Sequence, residues 1–177
     1  MGNREFRLST VVFRTPVIDR TRSIMMEIIR QHTFWVVGQK VSIVSVAENY
    51  SFVETIAPAA IPGPPLHVHK TNSEQFYVLE GELDIITDTQ RIKLVAGESL
   101  FVPQDTPHTF ENVTDADVRL LSVYSPPGFE RYFSDMGIAA DVPNARVASS
   151  DPKIIERIRT EASHYGMYFP SSPDDGK

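Results

Sequence analysis

The chain has 177 residues, of which 41% are hydrophobic and 23% are charged, a composition that fits one globular domain with a single core. Its 17 Lys and Arg residues against 23 Asp and Glu residues leave a formal charge of −6, without the basic surface that nucleic-acid binding needs. The absence of cysteine excludes disulfides, thiolate nucleophiles and zinc–thiolate clusters, so any metal must be held by nitrogen and oxygen ligands.

The amino-terminal part, residues 1–32, is an extension whose secondary structure the sequence leaves open. Apolar residues at every second position fit a strand over residues 24–28, whereas residues at helical spacing fit a helix over residues 25–32. Arg4 and Glu5 are not followed by the apolar core of a signal peptide, and apolar runs in the chain are far shorter than the roughly 20 residues that span a bilayer. We therefore expect a cytoplasmic protein that has no membrane partner.

The segment from residue 33 to residue 124 has the pattern of an antiparallel β-barrel or sandwich. Short runs rich in Val, Ile, Phe, Tyr and Thr alternate with turn residues, which predicts ten strands. A glycine at position 81 predicts a hairpin, and turns at 88–90 and 96–97 would extend it into an antiparallel meander. The predicted strands cover residues 34–37, 41–47, 52–56, 67–69, 75–79, 83–87, 91–94, 99–102, 108–112 and 119–124.

The remaining residues, 125–177, are predicted to be a helical segment that packs against the barrel. Apolar residues recur at helical spacing after position 128 and stop at Gly137, which predicts a first helix. A second helix is predicted to begin at Asp151 as N-cap, with Pro152 in its first turn, and to end near Gly166.

Four side chains are candidate metal ligands. His67 and His69 are two residues apart, so in a strand both imidazoles point to one face. Glu74 follows a polar, loop-like stretch that can reset the strand phase and return its carboxylate to that face. The turn at residues 103–107 delivers His108 to the start of another strand, which offers a further ligand.

The spacing of these residues resembles the first motif of the cupin superfamily. His67 is followed after one residue by His69, after four more by Glu74, and after six more by Gly81. The leading glycine of the family motif is replaced by Ile61, and the nearest glycine stands at position 63.

The second cupin motif is matched further along the chain. Gly97 is followed after five residues by Pro103, after one by Asp105, after two by His108 and after three by Asn112. Asp105 replaces the family's usual glycine, and aspartate tolerates the left-handed conformation better than most residues.

The resemblance implies an all-β fold, a double-stranded β-helix or cupin jelly-roll barrel, with short flanking helices at the C-terminus. It also implies a metal at the barrel centre, bound by the three histidines and Glu74. Such ligands suit a divalent first-row ion and leave coordination positions for water or substrate, as in a catalytic centre. The ligands do not choose among Fe, Mn, Ni, Co, Cu and Zn, so the expected cofactor is one divalent transition metal per chain.

Residues 38–137 look most like small bacterial single-domain cupins similar to quercetinase, which are flavonol dioxygenases. In the reaction that this resemblance implies, Glu74 is both ligand and base, and dioxygen opens the ring with loss of carbon monoxide. The same site also fits a metal-dependent isomerase or a polyketide cyclase, and a third alternative is a non-catalytic small-molecule-binding protein. Cupins of this kind are commonly dimers, so a homodimer is expected.

Strand alternation predicts an apolar wall around the metal, with Pro65 facing inward beside the histidines. A wall of this kind suits an aromatic substrate that binds together with O2. The candidate substrate-binding residues are Tyr50, Phe52, Phe76, Phe110, Phe129 and Phe133.

Overall fold

A computed structural model describes residues 32–170 of the chain. Two helices pack beside a mostly antiparallel β structure, and a third, short helix lies between them in the sequence. The strands are β1 His32–Val36, β2 Gln39–Val46, β3 Ser51–Ala57, β4 Val68–His69, β5 Ser73–Glu80, β6 Glu82–Thr87, β7 Arg91–Val95, β8 Ser99–Val102, β9 His108–Glu111, β10 Val118–Ser125, β11 Ile138–Ala139 and β12 Met167–Tyr168. The helices are α1 Glu130–Met136, α2 Ala145–Ala148 and α3 Pro152–Glu161, followed by a 3₁₀ turn at Ala162–Tyr165.

The strands form two facing layers that enclose the core. One layer is a seven-stranded sheet in the order β11-β1-β2-β3-β10-β5-β8, and the other begins with the three-stranded sheet β7-β6-β9. A reciprocal pair of backbone hydrogen bonds between His67 and His108 extends the second layer toward β4, which pairs with β12. All described strand pairs are antiparallel, and the fold is the expected cupin jelly roll with short helices at its C-terminal side.

All ten predicted strands are present, and the predicted turn at 88–90 joins the antiparallel pair β6 and β7. The predicted hairpin at Gly81 is wrong, and so is the continuous meander of which it was to be part. β5 pairs with β8 and β10, whereas β6 pairs with β7 and β9, so the turn at Gly81 carries the chain from one sheet to the other. Residues Val78 and Leu83, on either side of the turn, are both buried in the core between the sheets. A turn residue specifies a reversal of direction, and it does not specify whether the two strands remain in one sheet.

The helix predictions are confirmed, with one change at the end of α3. The α1 helix ends at Gly137, and the Asp151 side chain accepts a hydrogen bond from the backbone N–H of Lys153, as an N-cap does. Regular helix stops at Glu161, and the 3₁₀ turn then continues to Gly166. The short elements α2, β11 and β12 were not predicted, because two to four residues are too few for a periodic pattern.

The core has two parts, and the candidate ligands lie where they meet. The first part fills the space between the sheets around Phe76 and Leu120. The second part lies between β1 to β3 and the α1 helix and includes Phe129, Phe133 and Met136. Burying each of these large side chains stabilises the fold by about 2–3 kcal/mol.

The predicted N-terminal extension lies outside the described residues except for His32, which is in β1. Among the described residues, none of the helices combines the length and the apolar character needed to cross a membrane.

Candidate metal centre

The four candidate ligands converge at the centre of the barrel. His67 precedes β4, His69 ends it, Glu74 is in β5, and His108 begins β9. Each offers one nitrogen or oxygen atom, and these atoms all lie within 4.8 Å of one another. The side chains are well shielded from water, with exposed fractions of 6% for His67, 2% for His69, 3% for Glu74 and 1% for His108.

Two of the imidazoles are oriented by the backbone two residues before them. The Nδ1 of His67 lies 2.8 Å from the carbonyl oxygen of Pro65, and the Nδ1 of His108 lies 2.8 Å from that of Thr106. A carbonyl oxygen only accepts, so Nδ1 carries the proton in both rings and donates it. In a neutral ring, Nε2 then keeps its lone pair, which is the tautomer that a metal-binding histidine needs.

His69 shows most directly that the site fits a metal. Both of its ring nitrogens are buried without a hydrogen-bond partner, and its Nε2 lies 3.3 Å from Oε2 of Glu74. Leaving a buried polar atom unsatisfied costs about 1–3 kcal/mol. A metal ion held by His69 and the other three residues would give one of these nitrogens a partner, so the donor set and the unpartnered imidazole agree with a metal site.

The charges of the cluster are strongly coupled. Burial, together with the neighbouring His69 and His108, lowers the pKa of His67 from 6.5 to about 3. Burial alone would raise the pKa of Glu74, but the neighbouring imidazoles of His108 and His69 outweigh it and hold that pKa well below its usual range. Burial would lower the pKa of His108, but the contact with Glu74 raises it overall.

The lowered pKa makes Glu74 a weaker base in the metal-free protein than an ordinary carboxylate. The cause is the two neighbouring imidazoles, which favour the ionised form. Glu74 is therefore an anion at neutral pH, and its charge attracts a cation to the site.

The turn before His108 is tied to the strand that carries the other histidines. The backbone N–H of Asp105 donates to the carbonyl oxygen of His69 over 2.9 Å. Asp105 has a φ of 63°, so it adopts the left-handed conformation expected for the residue that replaces the motif glycine.

The glycine that the first motif lacks at position 61 has a counterpart at Gly63. A Cβ atom on Gly63 would lie 1.6 Å from the backbone oxygen of Phe110 in β9. The chain therefore passes so close to β9 before His67 that only a glycine fits at this position.

A cavity of about 70 Å³ is lined by two of the candidate ligands, His67 and Glu74, and it is mainly apolar. Four of the six predicted aromatic residues line it, namely Phe76, Phe110, Phe129 and Phe133. Tyr50 and Phe52 do not line the cavity, because Tyr50 is exposed and the buried neighbours of Phe52 on β3 point to the core in its place.

Pro65 also differs from the expectation that it faces inward. It is exposed, and Pro64 lines the cavity in its place. The reason is that residues 61–66 form no strand, so the alternation counted back from His67 does not apply there.

Several lining residues were missed from the sequence. Ser122 and Tyr124, two residues apart on β10, face the cavity, and so do Gln39 on β2 and Thr55 on β3. Strand alternation could have identified the first two, because both lie in a predicted strand, but it does not show which of two faces surrounds the ligands.

Comparison with known proteins identifies the family. The sequence profile of the cupin domain matches residues 52–124, which include all four candidate ligands. Residues 52–124 form a cupin domain. This agrees with the jelly-roll topology and with the positions of the predicted ligands.

Three curated relatives are similar to this cupin. An uncharacterized protein of Methanocaldococcus jannaschii is 28% identical over 112 residues, which are 63% of this chain and 80% of that protein. Quercetin 2,3-dioxygenase of Bacillus subtilis is 35% identical over 71 residues, 40% of this chain and 21% of the enzyme. Polyketide synthase CurC of Streptomyces cyaneus is 37% identical over 60 residues, 34% of this chain and 39% of that protein. The last two matches thus cover well under half of each relative.

Proposed function

We propose that this cupin is a metal-dependent dioxygenase that opens an enolic or phenolic aromatic ring, such as that of a flavonol. The observation that carries the proposal is the position of Glu74, an anionic carboxylate among three imidazoles at the wall of an apolar, aromatic-lined cavity. The similarity to quercetin 2,3-dioxygenase, over the part of the chain that it covers, supports the same class of reaction.

The residues of the site have different roles in such a reaction. A bound divalent ion would supply Lewis acidity that makes a phenolic hydroxyl more acidic. Oε2 of Glu74 lies 3.3 Å from Nε2 of His69 and 3.2 Å from Nε2 of His108, and in this proposal it accepts the proton of that hydroxyl. The hydrogen bonds from His67 and His108 to carbonyl oxygens keep their rings oriented toward the same point.

Aromatic side chains exclude water from this point. The ring of Phe129 meets the ring of His69 edge-on, with centroids 4.3 Å apart, and Phe76 meets His108 edge-on at 6.0 Å. Exclusion of water protects reactive species from hydrolysis and strengthens electrostatic interactions in the site.

The size of the cavity bears on the substrate. Pockets for drug-sized ligands commonly have about 300–1,000 Å³, whereas this cavity has about 70 Å³. A three-ring flavonol therefore requires an outward movement of Phe133 in the α1 helix and of Phe129 just before it, both of which line the cavity. A single-ring enol or phenol needs less movement.

The test is oxygen uptake and carbon monoxide release on adding quercetin to metal-reconstituted protein. We expect turnover that is lost in Glu74→Gln. Glu82→Gln, which changes a partly exposed glutamate paired with Lys93, should keep it. Metal content is measured in both variants, so that loss of the base is separated from loss of the ion. If the reconstituted protein takes up no oxygen and releases no carbon monoxide, flavonol dioxygenase activity is ruled out.

A second candidate function keeps the site without the oxygen chemistry. The similarity to polyketide synthase CurC favours a cyclase or isomerase that polarises a carbonyl group. Turnover of an enolic polyketide-like substrate under strict anaerobic conditions would favour this candidate over the dioxygenase.

A further inference from the structure

Gln39 is a buried polar residue in the wall of the cavity. It is the first residue of β2, its exposed fraction is 5%, and it lines the same cavity as His67 and Glu74. Its Nε2 donates to the carbonyl oxygen of Pro62 over 3.0 Å, whereas its Oε1 is buried without a hydrogen-bond partner.

The orientation of the amide follows from its one partner. The carbonyl oxygen of Pro62 can only accept a hydrogen bond, so the NH₂ group of Gln39 must face it and Oε1 must point elsewhere. The cavity lining includes the hydroxyl groups of Thr55, Ser122, Tyr124 and Tyr132, but none of them donates to Oε1 of Gln39. The acceptor is therefore fixed in place without a donor from the described part of the chain.

A buried acceptor that is held in this way is complementary to a ligand that carries a donor. Strands β3 and β10 separate β2 from β5, so Gln39 and Glu74 lie at different places in the wall of the same cavity. The pairing register places Gln39 near the level of Glu80, so it is also offset from Glu74 along the strands. A ligand bound at Glu74 would reach Gln39 with its opposite end, across an apolar middle.

We propose that Gln39 determines specificity, with its Oε1 accepting a hydrogen bond from a hydroxyl or N–H group at the end of the substrate farthest from the metal. The expected ligand class is a planar, mostly apolar molecule with an acidic hydroxyl at one end and a hydrogen-bond donor at the other. This inference rests on the proposed function only for the anchoring of the ligand at the metal end.

Gln39 also supports the segment that leads to His67. Its hydrogen bond to Pro62 lies five residues before that histidine, and Gly63 packs against the Phe110 backbone between them. A loss of affinity in a Gln39 variant therefore has two explanations, and the experiment must separate them.

The experiment compares matched ligands in Gln39→Met, which keeps the side-chain length and removes both polar atoms. Kaempferol and galangin differ by one hydroxyl at the far end of a flavonol, and 4-hydroxybenzohydroxamate and benzohydroxamate differ likewise in a short metal-binding ligand. Dissociation constants are measured for the metal-loaded protein without oxygen. Gln75→Met, a glutamine outside the cavity, is the matched control.

In at least one of the two pairs, we expect wild type and Gln75→Met to bind the ligand with the additional hydroxyl at least about tenfold more tightly than the ligand without it. In Gln39→Met the two dissociation constants of that pair should differ by no more than about twofold. Equal binding within both pairs by wild type overturns the proposal. The proposal is also overturned if Gln39→Met still prefers the hydroxylated ligand while its affinity for both ligands falls, because Gln39 would then have only a structural role. Hydroxamate binding needs no turnover, so the outcome stands even if no flavonol is oxidised.

Discussion

Oε2 of Glu74 lies 3.2 Å from Nε2 of His108, and these two residues belong to opposite layers of the barrel. Glu74 is on β5 of the seven-stranded sheet, and His108 begins β9 of the three-stranded sheet. A metal ion held by these two residues together with His67 and His69 would link the two layers.

The first prediction concerns metal content. Elemental analysis of wild-type protein should find about one first-row transition ion per chain, and His69→Ala should lose it, because that substitution removes a ligand whose buried ring nitrogens have no other partner. His164→Ala removes an exposed histidine outside the cluster and should keep the ion. Wild-type protein that stays metal-free after reconstitution would contradict the four-ligand site.

The second prediction concerns stability. An ion present at one hundred times its dissociation constant should stabilise the fold by about 2.7 kcal/mol, because it binds the assembled site and not the unfolded chain. For a chain of this size that corresponds to a rise in Tm of roughly 5–10 °C. Thermal unfolding is followed with Ni²⁺ and with a chelator.

A variant that combines His69→Ala with Glu74→Ala is the control for this measurement. Its Tm should be the same with and without Ni²⁺. An equal rise in the variant and in wild type would mean that the ion stabilises the fold from another place.

Local patterns were sufficient to predict the strands and the ligands, but not their arrangement in space. The spacing of His67, His69 and Glu74 is a local property of two neighbouring strands, and His108 was found from its own motif. The sheet to which each strand belongs depends on contacts between distant residues, and for that reason the hairpin at Gly81 was wrong.

The site walls show the same limit. Four of the predicted aromatic residues line the cavity, namely Phe76, Phe110, Phe129 and Phe133, whereas Tyr50 does not. Gln39 gave no signal, because its importance depends on a hydrogen bond to Pro62, a residue far along the chain.

The third prediction is a pH dependence of stability in the metal-free protein. The pKa of His67 is lowered to about 3 in the folded protein, whereas in the unfolded chain it has its ordinary value of 6.5. Between these values the unfolded state binds the additional proton, so stability is lost as the pH falls through this window. The slope should approach about 1.4 kcal/mol per pH unit.

Urea unfolding at pH 6 and pH 5 measures this slope. Glu74 adds to the pH dependence of stability in the same direction, but only below about its ordinary pKa of 4.5. His108, whose pKa is raised, adds to it mainly above pH 6.5. The interval from pH 5 to pH 6 therefore isolates His67. The variant His67→Gln should have a flatter slope, whatever its absolute stability. Equal slopes in the two proteins would show that His67 does not remain neutral in the folded state.

The fourth prediction concerns Gly63, which brings the chain against β9 before His67. In Gly63→Ala the new Cβ would meet the Phe110 backbone oxygen at 1.6 Å, and two backbone segments cannot both stay in place. We expect a loss of about 2–3 kcal/mol in the free energy of unfolding, measured in urea. Because the displaced segment leads to His67, metal affinity should fall as well.

Gly97→Ala separates crowding from backbone strain. Gly97 has a φ of +91°, and a Cβ there would have no neighbour within 4 Å, so its replacement costs only the strain of about 1–2 kcal/mol. Gly97 also lies on the β7 to β8 turn, away from the cavity lining, so metal affinity should stay unchanged. If Gly63→Ala keeps both its stability and its affinity for the ion, the close approach of residue 63 to β9 does not position His67.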